Sequence, residues 1–438
     1  MKYYCIGIKG TGMSALAQML YDLGNEVVGY DDVKYYKFTE EGLKKRNITI
    51  YTDSTHELDP DMIVTYSKAF SLDHKEIQRV KGKGLKIIDY NELIGEVSKQ
   101  FKTISVCGTH GKTTTSSLIK HVLYPTKGCN YFIGDGEGYA NKNNSLFVLE
   151  SCEYQKNFLS YYPTYAVLTN IELEHVECFD GLEDEIKTFE TFVNKAEFIV
   201  ACGDDENVRK IKTNKEIVYY GFDPSNDLYA TNVELNDTGS QFDVYMNNAF
   251  YGHFEVPLFG RHMVLNTLAC IAICHKEGIT KDTIHDLLQT FVDAKRRFKE
   301  YTYGDIVIVD DYAHHPTELR VTLESARQKY PEKEVVGVFL PNTYSRTQAL
   351  LDDFAEVLSK ADKAYVMDIS CDREKPEDYG NIRSDDLIKK IPGCEKISIE
   401  TVDKLLKHKN AVICFMSCAN IYLIINAFKK LLGENNEK

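Results

Sequence analysis

Three successive α/β units are the fold class that this sequence predicts, and three observations lead there. An apolar strand running into a special loop and then a helical stretch occurs three times, starting near residues 3, 103 and 306. At roughly 150 residues per domain, the chain length of 438 corresponds to about three domains. Between the restarts, strand-like and helix-like patterns alternate, with no short repeat, low-complexity tract or Pro-rich linker, as layered α/β domains require.

The first unit opens with the apolar run at residues 3–8 and the turn Gly10-Thr11-Gly12. Met13, Leu16, Ala17, Leu20 and Leu23 then fall on one helical face, and Gly24 ends the helix. A strand at 26–30 finishes at Asp31 and Asp32, completing a dinucleotide-type βαβ pattern. Further strands fit residues 62–65 and 85–88. The second unit starts with a strand at 103–107, a glycine loop and a helix. Strands follow at 146–149, 165–168, 198–202 and 217–220. The alternating, turn-rich stretch 227–254 predicts antiparallel strands, and 264–276 a helix. The third unit starts with a strand at 306–309 that ends at Asp310 and Asp311. A helix at 317–328, a strand at 335–340, a helix at 347–359 and strands at 364–368 and 411–416 follow, with a helix at 420–432 last.

The strongest chemical signal is Gly108-Thr109-His110-Gly111-Lys112-Thr113-Thr114, directly after a strand. A full G-x-x-x-x-G-K-[ST] pattern would place glycine where Val106 stands, so the pattern is relaxed at its start and intact where the chemistry lies. Backbone N–H groups at the loop and helix start can cradle phosphates, Lys112 can reach the terminal phosphates, and Thr113 can hold Mg²⁺. The bland alternative is a glycine turn before a helix. The Gly7, Gly10, Gly12 spacing is weaker, because it is not G-x-G-x-x-G. It suits a pyrophosphate, with Asp31 placed for a hydroxyl of the nucleotide, or else a turn that needs glycine for packing. Two such loops point to an ATP-driven reaction on a nucleotide-linked substrate. An oxidoreductase using the first loop for NAD is the competing class, disfavoured by the spacing and by the second loop.

Glu150 ends one strand, with Glu153 close behind; Glu172, Glu174 and His175 follow another. Ligands collect at the carboxyl ends of strands in open α/β sheets. Mg²⁺ takes one or two carboxylates along with phosphates and waters, and Glu150 with Thr113 fits. His175 is a less usual ligand and could equally be a surface histidine. Lys295-Arg296-Arg297, Asp310-Asp311-Tyr312-Ala313-His314-His315 and Ser345-Arg346 could clamp a carboxylate or phosphate, or be solvated charge at a domain junction.

The composition, 43% hydrophobic and 27% charged, is that of a globular protein. A net charge of −14 argues against a nucleic-acid coat. The 12 cysteines include no Cys-x-x-Cys pair and read as reduced thiols of a cytoplasmic protein rather than zinc ligands or disulfides. The N-terminus lacks a signal-peptide pattern, and the apolar stretch 411–428 divides more naturally into a strand and a helix than into a membrane span.

Seven segments occur in the order found in one family: GIKGTGMSA from Gly7, GTHGKTTT from Gly108, ESCEYQKNFL from Glu150, TNIELEH from Thr169, KRRF from Lys295, DDYAHHPTE from Asp310 and SRTQ from Ser345. On these segments the chain resembles the Mur ligases, and DDYAHHPTE points to their alanine-adding branch. The resemblance implies a Rossmann-like domain for the UDP-sugar (1–99), a P-loop-type ATP-binding domain (100–297) and a Rossmann-like domain for the amino acid (298–438). It implies ATP and Mg²⁺ as cofactors and a two-step amide synthesis in peptidoglycan precursor formation. The lactyl carboxylate of UDP-N-acetylmuramate attacks the γ-phosphate, and L-alanine then displaces phosphate from the acyl phosphate.

By position, the resemblance makes Thr113, Glu150 and His175 metal ligands and Asn266 an adenine contact. Arg297 falls on phosphate and Asp311 near the ribose. Gly10, Thr11, Gly12, Asp31, Ser67 and Glu153 fall on the sugar-nucleotide substrate, and Tyr312, His314 and Arg346 on the amino-acid side. Lys112, His175, Arg297 and Arg346 are the expected catalytic set. Partners are these small molecules alone, with no nucleic acid or membrane, for a monomer or homodimer. A ligase attaching tripeptide and a non-catalytic nucleotide-binding homologue are the alternatives. Met263, Asn342 and Ser417-Cys418-Ala419 depart from the family pattern.

Overall fold

The computed structural model describes the chain except residues 135, 175–177, 293–296, 372–373 and 437–438. It divides into two compact units. One is Met1–Thr231 with Asp243–Gly252 and Leu265–Phe291; the other is Asn232–Phe242 with His253–Val264 and Val292–Lys438.

The first unit begins with a five-stranded sheet of β1 (Lys2–Ile6), β2 (Glu26–Tyr30), β3 (Thr49–Tyr51), β4 (Met62–Tyr66) and β5 (Lys86–Ile87). Its order is β3-β2-β1-β4-β5 and every pairing is parallel. The order reverses between β1 and β4, so the glycine turn leaving β1 emerges where a doubly wound sheet opens a crevice. The helix Thr11–Asp22 follows the turn and buries Met13, Leu16 and Leu20, as its apolar spacing foretold.

The second sheet holds β6 (Lys102–Cys107), β7 (Cys129–Ile133), β8 (Glu137–Tyr139), β9 (Leu146–Glu150), β10 (Tyr165–Leu168), β11 (Phe198–Cys202) and β12 (Glu216–Gly221). β6 lies between β9 and β10, parallel to both. β7 and β8 form an antiparallel hairpin at the edge. In the sheet order β12 is followed by β13 (Leu228–Asn236), β14 (Gly239–Met246) and β15 (Ala249–Val256), the strands expected from the alternating stretch. The edge hairpin ties the two sheets of this unit together. Gln18 Nε2 donates to the Gly136 carbonyl at 2.9 Å, and Arg46 donates to the Gly138 carbonyl at 3.1 Å while pairing with Asp22 at 2.7 Å. Gly138 sits so close to the Ala15 backbone that no side chain would fit.

Beyond β9, Phe158 is wholly buried, stacked on Phe192 at 4.3 Å between ring centroids and edge-on to Phe189 at 5.4 Å. Phe158→Ala should therefore cost about 3–5 kcal/mol of unfolding free energy, the usual range for a truncated buried ring, and denaturant titration measures it.

The second unit carries β16 (Lys299–Tyr303), β17 (Ile306–Asp311), β18 (Glu334–Phe339), β19 (Lys363–Val366), β20 (Glu395–Lys396) and β21 (Ala411–Met416) in the order β16-β17-β21-β18-β19-β20. β16 is antiparallel to β17, and the other pairings are parallel. The DDYAHHPTE segment reads directly as a strand end and a helix start. Pro316 occupies the first turn of Pro316–Lys329, and His315 and Glu318 form a capping box.

The structure corrects two expectations. The expected helix at 347–359 is two helices, Tyr344–Ala349 and Leu351–Leu358. The first starts early because Glu374, thirty residues away, accepts from the Tyr344 and Ser345 N–H groups at 2.7 and 3.0 Å, a cap invisible to local pattern. Strands β3, β7, β8, β16 and β20 were not foreseen, being short or edge strands whose half-exposed residues carry little periodic signal. The stretch 411–428 does resolve into β21 and the helix Tyr422–Asn436. Among the described residues no helix is long and apolar enough to cross a membrane. Among the described residues no disulfide joins any of the 12 cysteines.

Candidate active site

The loop Gly108–Gly111 leaves the carboxyl end of β6 and enters the helix Lys112–Lys127. Gly108 and Gly111 have φ of +128° and +81°, which side chains other than glycine rarely tolerate. Residues 169–172, following β10, clamp the loop. Thr109 N–H donates to the Asn170 carbonyl at 3.0 Å, His110 N–H donates to Asn170 Oδ1 at 2.8 Å, and Thr169 Oγ1 donates to the His110 carbonyl at 2.6 Å. Thr109 exchanges bonds with the Glu172 backbone, and the His110 ring meets the Glu172 carboxylate at 3.0 Å. Gly111 at the N-cap has no side chain to cap the helix, whose start carries the partial positive charge that suits an anion. Asn266 is buried against Gly111, where an added Cβ would lie 2.8 Å from its Oδ1. Thr114 is buried in the first helical turn.

Lys112 is turned onto its own loop. Its ammonium donates to the Gly108 and Thr109 carbonyls at 2.6 and 2.8 Å and pairs with Glu153 at 2.9 Å. Burial works against this charge, but Glu153, Cys152 and Glu174 outweigh it and hold Lys112 above the ordinary lysine range. Glu153, with 0% exposure, is thus a partner of the loop lysine. The Thr113 hydroxyl donates to Glu150 Oε1 at 3.0 Å, and Gly134 N–H donates to Glu150 Oε2 at 2.7 Å. Strand register explains this meeting: Val106 of β6 lies opposite Glu150 of β9, so loop and carboxylate leave the same sheet edge side by side.

At the other glycine turn, Gly10, Thr11 and Gly12 open the helix Thr11–Asp22, again with no side-chain cap. Ser67 follows β4, and an added Cβ at Gly7 would come within 2.8 Å of its Cβ. Both oxygens of Asp31 are engaged by backbone: Lys9 N–H donates to one at 2.9 Å and Val33 N–H to the other at 3.0 Å. The acid at the end of β2 therefore braces the turn.

In the second unit, Arg297, Asp311, Tyr312 and His314 gather around Glu318. Arg297 approaches Glu318 at 3.8 Å and lies 5.5 Å from the centre of the Tyr312 ring. His314 meets Glu318 at 3.0 Å and the Tyr312 carbonyl at 2.9 Å. Asp311 is buried and accepts from Phe298 and Ala313 N–H at 2.7 and 2.8 Å. Burial pushes its carboxyl up, against the pull of Arg297. Arg346, in Tyr344–Ala349, donates to Asn342 Oδ1 at 3.1 Å. His175, Lys295 and Arg296 lie outside the described residues. Sequence reasoning missed the clamp by Thr169 and Asn170 and the Glu318 hub. Their signals were present, as polar residues directly after a strand and as the acid three residues past a capping histidine.

Comparison with known families places this geometry. Residues 2–102 match the Mur ligase catalytic-domain model, 106–274 the Mur ligase middle domain, and 296–416 the Mur ligase glutamate ligase domain. The chain belongs to the Mur ligase family, ATP-dependent ligases of peptidoglycan synthesis. Among solved structures it is similar to UDP-N-acetylmuramate–alanine ligase from Thermotoga maritima, with 24% identity, TM-score 0.81 and coverage of 100% of this chain and 99% of that one. It is also similar to a murein peptide ligase from Psychrobacter arcticus, with 22% identity, TM-score 0.73 and 99% coverage of each chain. A MurF ligase from Thermotoga maritima in complex with ADP matches at 17% identity and TM-score 0.67, over 93% of this chain and 95% of that one. At these identities the likeness is one of fold.

Proposed function

We propose that this protein joins L-alanine to the lactyl carboxylate of UDP-N-acetylmuramate, forming ADP and phosphate, in the cytoplasm. The observation that carries this reading is the Lys112–Glu153 and Thr113–Glu150 pairing at one sheet edge, beside a clamped phosphate loop. It is supported by the DDYAHHPTE segment and by fold likeness to an alanine ligase. The domains proposed are residues 1–99 for the sugar nucleotide, 100–297 for ATP and 298–438 for the amino acid.

The uncapped helix start after Gly111 receives the β- and γ-phosphates on its N–H groups. Lys112 is already desolvated and charged, and exchanges its loop carbonyls for phosphate oxygens while Glu153 keeps it oriented. Asn266 borders the loop at Gly111 and sits where the adenine side of ATP would pass. Thr113 and Glu150 supply two hard oxygen ligands within bonding distance of each other, a fit for Mg²⁺, with His175 as the proposed third. When bound, Mg²⁺ would supply positive charge between an attacking carboxylate and a like-charged triphosphate. The Gly10–Gly12 turn takes the diphosphate of the sugar nucleotide, near Ser67 and Asp31. By the family resemblance, Arg297 and Asp311 are assigned to phosphate and ribose, and Tyr312, His314 and Arg346 to the amino acid, whose carboxylate suits a guanidinium.

Purified protein with UDP-N-acetylmuramate, Mg-ATP and L-alanine should release ADP only when both substrates are present. Release with a tripeptide but not with L-alanine would assign the peptide-adding reaction instead. Tight ATP binding with no turnover on either amine would leave a nucleotide-binding homologue.

A further inference from the structure

Tyr90 opens the helix Tyr90–Ser98, whose start is fixed by the Asp89 carboxylate accepting from Asn91 N–H at 2.8 Å. That cap aims the first side chain of the helix across the glycine turn of the first sheet. The atom nearest to a Cβ added at Gly12 is the Tyr90 hydroxyl, in outright collision; the Phe132 ring comes next, at 3.8 Å. The Glu150 carboxylate is also within electrostatic reach of the phenol. Tyr90 therefore stands over the start of Thr11–Asp22. Its ring packs on the core of this unit, yet its hydroxyl has no hydrogen-bond partner among the described residues. Tyr90 is only part-buried and its hydroxyl is not sealed in the core, so an incoming ligand can reach it. The first-turn N–H groups of Thr11 and Gly12, just beneath it, also lack a side-chain acceptor. Two sets of unused donors thus converge on one place, and what complements them is an anion with several acceptor oxygens.

We propose that Tyr90 is a substrate-contacting residue of this chain, its hydroxyl donating a hydrogen bond to a phosphate oxygen of the sugar nucleotide seated on the Gly10–Gly12 turn. The inference rests on the proposed function for the identity of that nucleotide. It also explains Gly12, which must lack a side chain because the tyrosine occupies the space. Burial pushes the phenol up, so it remains a neutral donor at any working pH. A neutral donor can approach the diphosphate without competing with Glu150 for cations.

The test is calorimetric titration of the full chain with UDP-N-acetylmuramate and with UDP, for the wild type and Tyr90→Phe, alongside steady-state kinetics. Tyr90→Phe should weaken both ligands about ten-fold, the worth of one hydrogen bond to a charged group. KM for ATP and L-alanine and the melting temperature should stay as in the wild type, a split that a packing defect would not produce. Gly12→Ala should bind poorly, and Gly12→Ala with Tyr90→Phe should bind better than Gly12→Ala alone. If Gly12→Ala does not fold, the single Tyr90→Phe comparison still decides. Wild-type binding with unchanged affinity in Tyr90→Phe overturns this inference alone. A wild type that binds neither ligand overturns it together with the proposed function.

Discussion

Lys112→Ala is expected to lower ADP-forming turnover about a thousand-fold, the scale seen when a preorganised charge stabiliser is removed from a transition state. Its second effect follows from burial. Glu153 has 0% exposure and its carboxylate lies 2.9 Å from the lysine ammonium. Removing the lysine takes the loop ammonium from a buried carboxylate, and breaking such a pair costs about 3–5 kcal/mol. The single variant should therefore be both inactive and less stable. Adding Glu153→Gln removes that buried charge, so the double variant should regain part of the lost stability while staying inactive. Denaturant midpoints and ADP release measure the two effects separately. Turnover near wild type in Lys112→Ala would show that the loop is misassigned.

Glu150→Gln should lower kcat about a hundred-fold and raise the Mg²⁺ concentration needed for half-maximal rate about ten-fold. The carboxylate has one oxygen on the Thr113 hydroxyl at 3.0 Å and the other on Gly134 N–H at 2.7 Å. Glutamine offers a single neutral oxygen, and its amide nitrogen cannot accept from Gly134 or serve a hard cation. The fold should persist, because Glu150 is only partly buried and ends its strand. Rates measured across a Mg²⁺ titration distinguish this from a general loss of stability. An unchanged Mg²⁺ requirement would remove Glu150 from the metal site.

Local pattern carried far where local physics decides. The apolar spacing of Met13, Leu16 and Leu20 announced a buried helical face, and that helix is present. Gly108 and Gly111 announced a left-handed loop after a strand, because few other residues adopt those angles. The helix expected at 317–328 is present as Pro316–Lys329, its start set within four residues by the His315–Glu318 capping box. Edge strands such as β8 left little trace, because their order depends on a neighbouring strand more than on their own residues.

By itself, the sequence determined three α/β units, the two glycine loops and the acids at strand ends, because periodicity and turn chemistry are short-range. Only the tertiary structure decided what those groups do to one another. Asp31, placed by the sequence for a ligand hydroxyl, also holds two backbone N–H groups. Glu153 proved to be the partner of Lys112, forty-one residues away, and Glu374 the cap of the Arg346 helix. Tyr90 lies over Gly12 only because the helix at 90 packs across the first sheet. Strand order and register set these meetings, and both arise from pairings between segments distant in the chain, which no local window contains.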